Sequence, residues 1–196
     1  AAEAGFMHLV VHGVFKALLF LGAGVVIHVF HTNDVFRMGG LRNWPWIWLP
    51  FLVATLALAG VWPLPGFFTK EAILGSVIEA HLTLPFVMLS LTALLTSFYM
   101  FRVVFLAFFA RGHGHAHTPH VPWLMDYVCR LLAALTLAIG FRMAFFGEHH
   151  EGPGWLPAFS LTLAGAGFVL AWAMYHRRVV DPARVAAALW PLGALG

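Results

Sequence analysis

The chain has 196 residues, of which 61% are hydrophobic and only 10% are charged, and its mean hydropathy is +0.86. Soluble domains carry about 25% charged residues, so this composition excludes an ordinary soluble protein and indicates a membrane protein. The net charge is +3, but the basic residues sort to one side of the membrane, so no nucleic-acid partner is expected. The single cysteine, Cys129, lies in an apolar run and is expected to be a small buried hydrophobic residue.

Five apolar segments follow one another along the chain. They cover about residues 6–30, 45–80, 84–110, 121–146 and 155–176. A bilayer core about 30 Å thick needs about 20 helical residues to cross it, and every segment reaches that length. We therefore predict an all-α fold, a polytopic membrane helix bundle with about five transmembrane helices.

The charged residues outside these segments predict an orientation. If each segment crosses once, six arginines fall on one side: Arg37, Arg42, Arg111, Arg177, Arg178 and Arg184. The turns on the other side carry glutamates: Glu3, Glu79, Glu148 and Glu151. Because short positively charged loops face the cytoplasm, we expect the N-terminus outside and the C-terminus in the cytoplasm.

A polar stripe runs through the first segment. His8, His12 and Lys16 are spaced four residues apart, so on a helix each lies about 40° and about 6 Å from the previous one. Polar groups inside a bilayer are costly unless they face protein or a water-filled interior. The stripe therefore predicts part of a proton path. Two structural alternatives stay open: imidazoles that only bridge helices, and a lysine held in a fixed ion pair.

The second segment is too long for one straight crossing, because 36 residues would span about 54 Å. At its centre stand Pro63, Pro65 and Gly66, which remove backbone donors and add backbone freedom. This pattern predicts a helix broken inside the membrane. Lys70 and Glu71 follow the break directly, and broken helices with charged groups are typical of ion transporters. Lys70 could alternatively extend its amine to the interface, and Glu71 projects about 100° away from it.

Other charged residues favour structural interpretations. Asp126 and Arg130 are four residues apart, which predicts a local ion pair on one helix face. Arg102 is expected to be an interfacial anchor on the cytoplasmic side, and Arg142 is expected to reach the interface near the outer end of its segment.

Metal and cofactor sites are not expected in this chain. Histidines cluster in a Gly-rich loop without acidic or cysteine ligands, and more occur in the next turn: His113, His115, His117, His120, His149 and His150. The sequence has neither a cysteine cluster for iron–sulfur nor a Gly-rich nucleotide turn.

Several motifs carry a resemblance to a known family. They are His8-x-x-x-His12-x-x-x-Lys16-Ala-Leu-Leu-Phe-Leu-Gly-Ala-Gly, Arg37-Met-Gly-Gly-Leu-Arg42, the stretch Leu56–Leu74, and Ser97-Phe-Tyr-Met-Phe-Arg102. Together they resemble the proton-pumping antiporter-like subunits of respiratory complex I, above all the largest and most distal of them. The resemblance is strong over about residues 6–120 and weak beyond them. One departure is Trp-Pro-Leu-Pro at residues 62–65, where relatives often show Ile-Pro-Pro.

The resemblance implies a domain organisation. Residues 1–110 would hold the last three helices of the second inverted repeat of such a subunit. Residues 111–196 would hold two additional transmembrane helices and the start of a C-terminal extension. The chain is thus expected to be a fragment that is inactive alone.

The resemblance also implies roles for five residues. His8 and His12 match the histidines between the two half-channels of the family, and Lys16 matches the lysine on the same helix. Lys70 matches the lysine on the second broken helix, assigned to the proton exit. Glu71 matches a position that is commonly Asp or Glu.

The function implied is that of a proton-translocating subunit of a complex I-type NADH-quinone oxidoreductase. Protons would move through buried Lys and His residues, coupled to electron transfer elsewhere, with no cofactor in this chain. The expected partners are neighbouring antiporter-like membrane subunits and the lipid bilayer, here the bacterial plasma membrane. Alternatives are the large subunit of a multi-subunit Na⁺/H⁺ antiporter, a membrane-bound hydrogenase or an inorganic-carbon uptake system. A purely structural membrane scaffold is a further alternative.

Overall fold

The computed structural model describes residues 2–110, 120–147 and 152–177, and these residues form helices joined by short loops. Six α-helices occur in these ranges: Ala2–Phe30 (α1), Pro45–Ala59 (α2), Pro65–Glu79 (α3), Thr83–Val104 (α4), Trp123–Phe146 (α5) and Leu156–Ala171 (α6). Short π-helical turns, Phe105–Phe109 and Trp172–His176, extend α4 and α6. The prediction of an all-α helix bundle is confirmed.

Four of these helices are long and apolar enough to cross a membrane: Ala2–Phe30, Thr83–Phe109, Trp123–Phe146 and Leu156–His176. The helices α2 and α3 have 15 residues each. Each therefore spans about 22 Å, which is short of the bilayer core. Together α2 and α3 make up the second predicted segment, so all five predicted segments are present as helices.

The second segment is interrupted where its proline motif predicts. Helix α2 ends at Ala59, Gly60 follows with the left-handed φ of 83°, and α3 begins at Pro65. Proline suits the first position of a helix because its missing N–H would have no partner there. Helix α5 covers the interruption: a Cβ placed on Gly140 would lie 2.7 Å from the Pro63 carbonyl oxygen. The interruption is thus covered by α5 at Pro63, while the Trp62 side chain stays 52% exposed.

The main core lies where α1, α2 and α5 meet. Phe15 of α1 is fully buried, and so are Ala54 and Ala57 of α2. Small residues such as these let membrane helices approach closely. The ring of Phe51 packs against Phe108 at a centroid distance of 5.3 Å, which ties α2 to the end of the third segment.

A second interface joins α4 to α6. The Ser97 hydroxyl donates a hydrogen bond to the Ala164 carbonyl at 2.7 Å. A Cβ placed on Gly167 would lie 2.6 Å from the Ser97 Cβ, so the two backbones are in close contact there. These contacts fix the register of two parallel helices.

The helix ends are grouped as alternating crossings require. The Gly40 N–H donates to the Ala110 carbonyl at 2.9 Å, so the loop after α1 and the end of the third segment share one end of the bundle. At the opposite end, the rings of Phe86 and Trp155 are 6.3 Å apart, which places the starts of α4 and α6 together. The assignment of either end to the cytoplasm stays a prediction.

Three smaller expectations can be compared with the structure. Asp126 and Arg130 form an ion pair with an Oδ2–Nη2 distance of 2.5 Å, which confirms that prediction. Cys129 is buried, with 4% of its surface exposed, as expected. The Arg102 guanidinium lies 5.6 Å from the Phe36 ring and 5.3 Å from the Tyr175 ring.

Several residues of the sequence predictions lie outside the described ranges. They are Arg111, His113, His115, His117, Glu148, His149, His150, Glu151, Arg178 and Arg184. Within residues 2–110, 120–147 and 152–177, no group of three His, Cys, Asp or Glu side chains is arranged to hold a metal ion.

Candidate proton-transfer site

The polar stripe of α1 forms a continuous row of rings. His8 and His12 are half-buried, and their ring centroids are 5.4 Å apart. The His12 ring then stacks on Phe15 at 5.2 Å. Its Nε2 atom is buried and has no hydrogen-bond partner among the described residues. The helical spacing thus places both imidazoles on one face, as the sequence predicted, with one ring nitrogen available to a further partner.

His8 connects α1 to the first turn of α3. Its Nδ1 atom lies 2.8 Å from the Thr69 hydroxyl, and this hydroxyl donates to the Pro65 carbonyl at 3.2 Å. When the Thr69 proton is used in that way, the hydroxyl oxygen accepts from the His8 Nδ1–H, and the His8 Nε2 is left as an acceptor. Thr69 is 2% exposed, so the link is shielded from surrounding solvent or lipid.

Lys70 bridges the interruption of the second segment. Its ammonium donates a hydrogen bond to the carbonyl of Leu58, in the last turn of α2. In a continuous helix a backbone N–H of the following turn would donate to the Leu58 carbonyl. Because α2 ends at Ala59, that donor is missing and the lysine takes its place. A positive charge at this end is also favourable because the helix dipole is negative there. The lysine stem passes the αL glycine, since a Cβ on Gly60 would lie 3.4 Å from Lys70 Cδ.

The His8 ring bonds Thr69, which directly precedes Lys70 on α3, and His12 lies next to His8 on α1. The structure therefore brings together three of the five residues singled out in the sequence, from two separate segments. The fourth, Lys16, lies one turn further along α1, where its ammonium sits 5.5 Å from the Phe20 ring. The fifth, Glu71, is half-buried on α3 next to Lys70.

Sequence reasoning missed two groups of this site. Thr69 stands beside Lys70 in the quoted motif, but a single hydroxyl has no periodic signal that marks it as a partner of His8. The Leu58 carbonyl has no sequence signal at all, because every residue has one and only the break leaves this one open to a side chain.

The fold and the site define a class: a polytopic membrane helix bundle with a discontinuous helix that carries a half-buried lysine just after its break, as in ion-transporting proteins. Residues 1–96, just under half of the chain, match the transmembrane family described as NADH:quinone oxidoreductase/Mrp antiporter.

Similar proteins extend beyond the matched residues. The chain is 40% identical to NADH-quinone oxidoreductase subunit L of Rickettsia bellii over 68% of its length, covering 22% of that relative. It is 36% identical to subunit L of Mycobacterium tuberculosis, covering 92% of the chain and 33% of the relative. It is 34% identical to NAD(P)H-quinone oxidoreductase chain 5 of Picosynechococcus, covering 93% of the chain and 35% of the relative.

The chain thus spans between 22% and 35% of the length of these relatives. Residues 1–96 belong to the NADH:quinone oxidoreductase/Mrp antiporter transmembrane family, and the chain is a homologue of the antiporter-like subunits of complex I. The resemblance stated from the motifs is confirmed.

Proposed function

We propose that this chain acts in a proton-translocating membrane subunit of a complex I-type NADH-quinone oxidoreductase. The observation that carries the proposal is the hydrogen bond between His8 and Thr69, which joins the polar stripe of α1 to the half-helix that carries Lys70. The names of the relatives support the same enzyme. Electron transfer would take place elsewhere in the complex, and this chain would carry only the proton.

The chemistry follows from the groups in the connection. An imidazole can accept a proton on one nitrogen and release one from the other. The Thr69 hydroxyl accepts from His8 and donates to the Pro65 carbonyl, so it holds the His8 ring against the half-helix that carries Lys70. Lys70 holds the proton while its ammonium is stabilised by the Leu58 carbonyl and the end of α2.

Coupling to electron transfer requires a change in nearby charge that makes the lysines gain or lose a proton. In the described residues Lys16 has no carboxylate within ion-pair distance, so in this proposal its charge responds to groups on neighbouring helices or subunits. A charge shift along the membrane arm would drive a proton from Lys16 through His12 and His8 to Lys70. The proposed partners are therefore adjacent antiporter-like subunits, and the proposed location is the bacterial plasma membrane.

A second candidate is the large subunit of a multi-subunit Na⁺/H⁺ antiporter. It is favoured by the description of the matched family, which includes Mrp antiporters. Purified membranes distinguish the two: the first predicts proton uptake driven by NADH and a quinone, and the second predicts sodium-dependent proton exchange without either. Hydrogenase and inorganic-carbon systems would respond to neither condition.

The experiment that tests the proposed function is Lys70→Ala in the assembled membrane complex. Without the ammonium the route has no proton store at the break, so we expect the number of protons pumped per NADH to fall. Electron transfer to an artificial acceptor should remain. Arg142→Ala is the matched control, because Arg142 is an exposed cation away from the site. Unchanged pumping in Lys70→Ala would contradict the proposal.

A further inference from the structure

A small cavity lies beside Lys70 on the side away from α1. Its volume is about 10 Å³, and its walls include Gly60, Lys70, Ala93 of α4 and Ser160 of α6. A volume of about 10–15 Å³ accommodates one water molecule if polar partners are present. The cavity is therefore the size of a single water, and two residues with polar side chains, Lys70 and Ser160, line it.

The Ser160 hydroxyl is one of three buried hydroxyls that lack a partner among the described residues, together with those of Thr55 and Ser90. Its oxygen is buried and has no hydrogen-bond partner among the described residues. By contrast, Thr162 on the same helix donates to the Ala158 carbonyl at 2.7 Å, and Thr92 on α4 donates to the Met88 carbonyl at 2.8 Å. Leaving a buried hydroxyl without a partner is energetically unfavourable, and Ser160 lines the cavity, so a ligand in the cavity would satisfy its hydroxyl.

The level of Ser160 in the bundle follows from two contacts. Helices α3 and α6 are antiparallel, and a Cβ on Gly75 would lie 3.7 Å from Leu156 Cδ2. Ser160, four residues further along α6, is thus about level with residue 71, which places it beside Lys70. Its distance from the start of α6 is about 6 Å. The start of α6 belongs to the end of the bundle that the charge pattern predicts to be outside.

A second buried hydroxyl lies at the same level on α4. Ser90 of α4 is 8% exposed, and its oxygen also has no partner among the described residues. The close contact of Ser97 with Gly167 sets the register of the parallel helices α4 and α6. Seven residues earlier on each helix, Ser90 is level with Ser160. The two unpartnered hydroxyls therefore lie at about the level of Lys70, on the two helices that line the cavity with it.

We propose that Lys70 and Ser160 together bind one water molecule in this cavity, and that Ser160 carries the proton from Lys70 toward the outer end of the bundle. A proton leaves the Lys70 ammonium for the water, the water gives one of its protons to the Ser160 oxygen, and Ser160 passes its own hydroxyl proton to solvent water at the outer end of the bundle, leaving Lys70 as the neutral amine. No bond between heavy atoms forms or breaks. The inference rests on the proposed function and adds α6, which lies outside residues 1–96, to the route.

The first test uses proton pumping by the assembled complex. Ser160→Ala removes the hydroxyl and should lower the pumping rate about ten-fold, while Ser160→Thr, which keeps a hydroxyl, should restore most of it. Ala93→Val narrows the cavity without changing either polar group and should also lower the rate. Thr162→Val is the matched control, because that hydroxyl bonds its own helix and is exposed.

A rate in Ser160→Ala equal to that of the unmodified complex would overturn the inference. If Lys70→Ala abolishes pumping in the same assay, the proposed function stands and only the role of Ser160 is lost. If Lys70→Ala also pumps normally, the proposed function is lost as well.

The second test does not depend on the variants. A density map of the unmodified complex, sharp enough to show ordered water, should contain one water within hydrogen-bond distance of Ser160 Oγ and the Lys70 amine. A map that shows ordered water at comparable depth elsewhere but none between these two atoms would overturn the inference.

Discussion

At the scale of single residues, the connection between the two halves of the site depends on Thr69. His8 belongs to α1 and Lys70 to α3, and the hydrogen bond from His8 Nδ1 to the Thr69 hydroxyl at 2.8 Å joins the two helices. Because Thr69 is buried and also bonds Pro65, its geometry is held from two sides. The tautomer of His8 is set by this bond, which decides the ring nitrogen that faces the next group.

We expect Thr69→Val to slow proton pumping about five-fold. Valine has nearly the shape of threonine, but it leaves His8 Nδ1 without its partner, and a lost hydrogen bond of about 1 kcal/mol corresponds to that factor. Thr69→Ser should pump like the unmodified protein. Thr92→Val is the control, since its exposed hydroxyl bonds only its own helix. The measurement is the rate of vesicle acidification, and an unaltered rate in Thr69→Val would exclude a role for the bond.

At the scale of elements, the interruption between α2 and α3 needs glycine at one defined place. A Cβ on Gly66 would overlap the carbonyl oxygen of Ala57, because the start of α3 rests directly on the last turns of α2. The same approach brings Lys70 to the Leu58 carbonyl. The glycine thus positions the lysine through the packing of two half-helices.

We expect Gly66→Ala to destabilise the subunit by at least the 1–3 kcal/mol typical of an overpacked core. The cause is the overlap with a backbone atom, which cannot rotate away. Gly165→Ala on α6 is the matched control, because nothing lies within 4 Å of a Cβ there. Thermal unfolding of the purified complex measures the effect. Equal melting temperatures for Gly66→Ala and Gly165→Ala would show that the contact is not needed.

At the scale of the whole molecule, successive membrane segments run in opposite directions. Every second loop therefore lies at the same end of the bundle. The backbone bond from Gly40 to Ala110 joins two loops at one end, and the rings of Phe86 and Trp155 meet at the other. The arginines of the first end predict that it faces the cytoplasm. If so, Ser160 lies on the periplasmic side of the break.

We expect Asn33→Cys to react with a membrane-impermeant thiol reagent from the cytoplasmic side only, and His81→Cys from the opposite side only. Both positions are exposed and lie in loops at opposite ends of the bundle. The unmodified chain is the control, because its single cysteine, Cys129, is buried. Labelling of both variants from the same side would contradict the orientation.

The sequence alone determined the helices, the break and the titratable residues of the site. Apolar runs longer than a bilayer core specify membrane helices, prolines without N–H groups interrupt one of them, and four-residue spacing places His8 and His12 on one face. These are local properties of the chain. Tertiary packing alone decided that His8 meets Thr69, that Lys70 reaches the Leu58 carbonyl, and that Ser160 lines the cavity beside Lys70. The partners are up to 90 residues apart in the sequence, and one of them is a backbone carbonyl that carries no signal in the sequence.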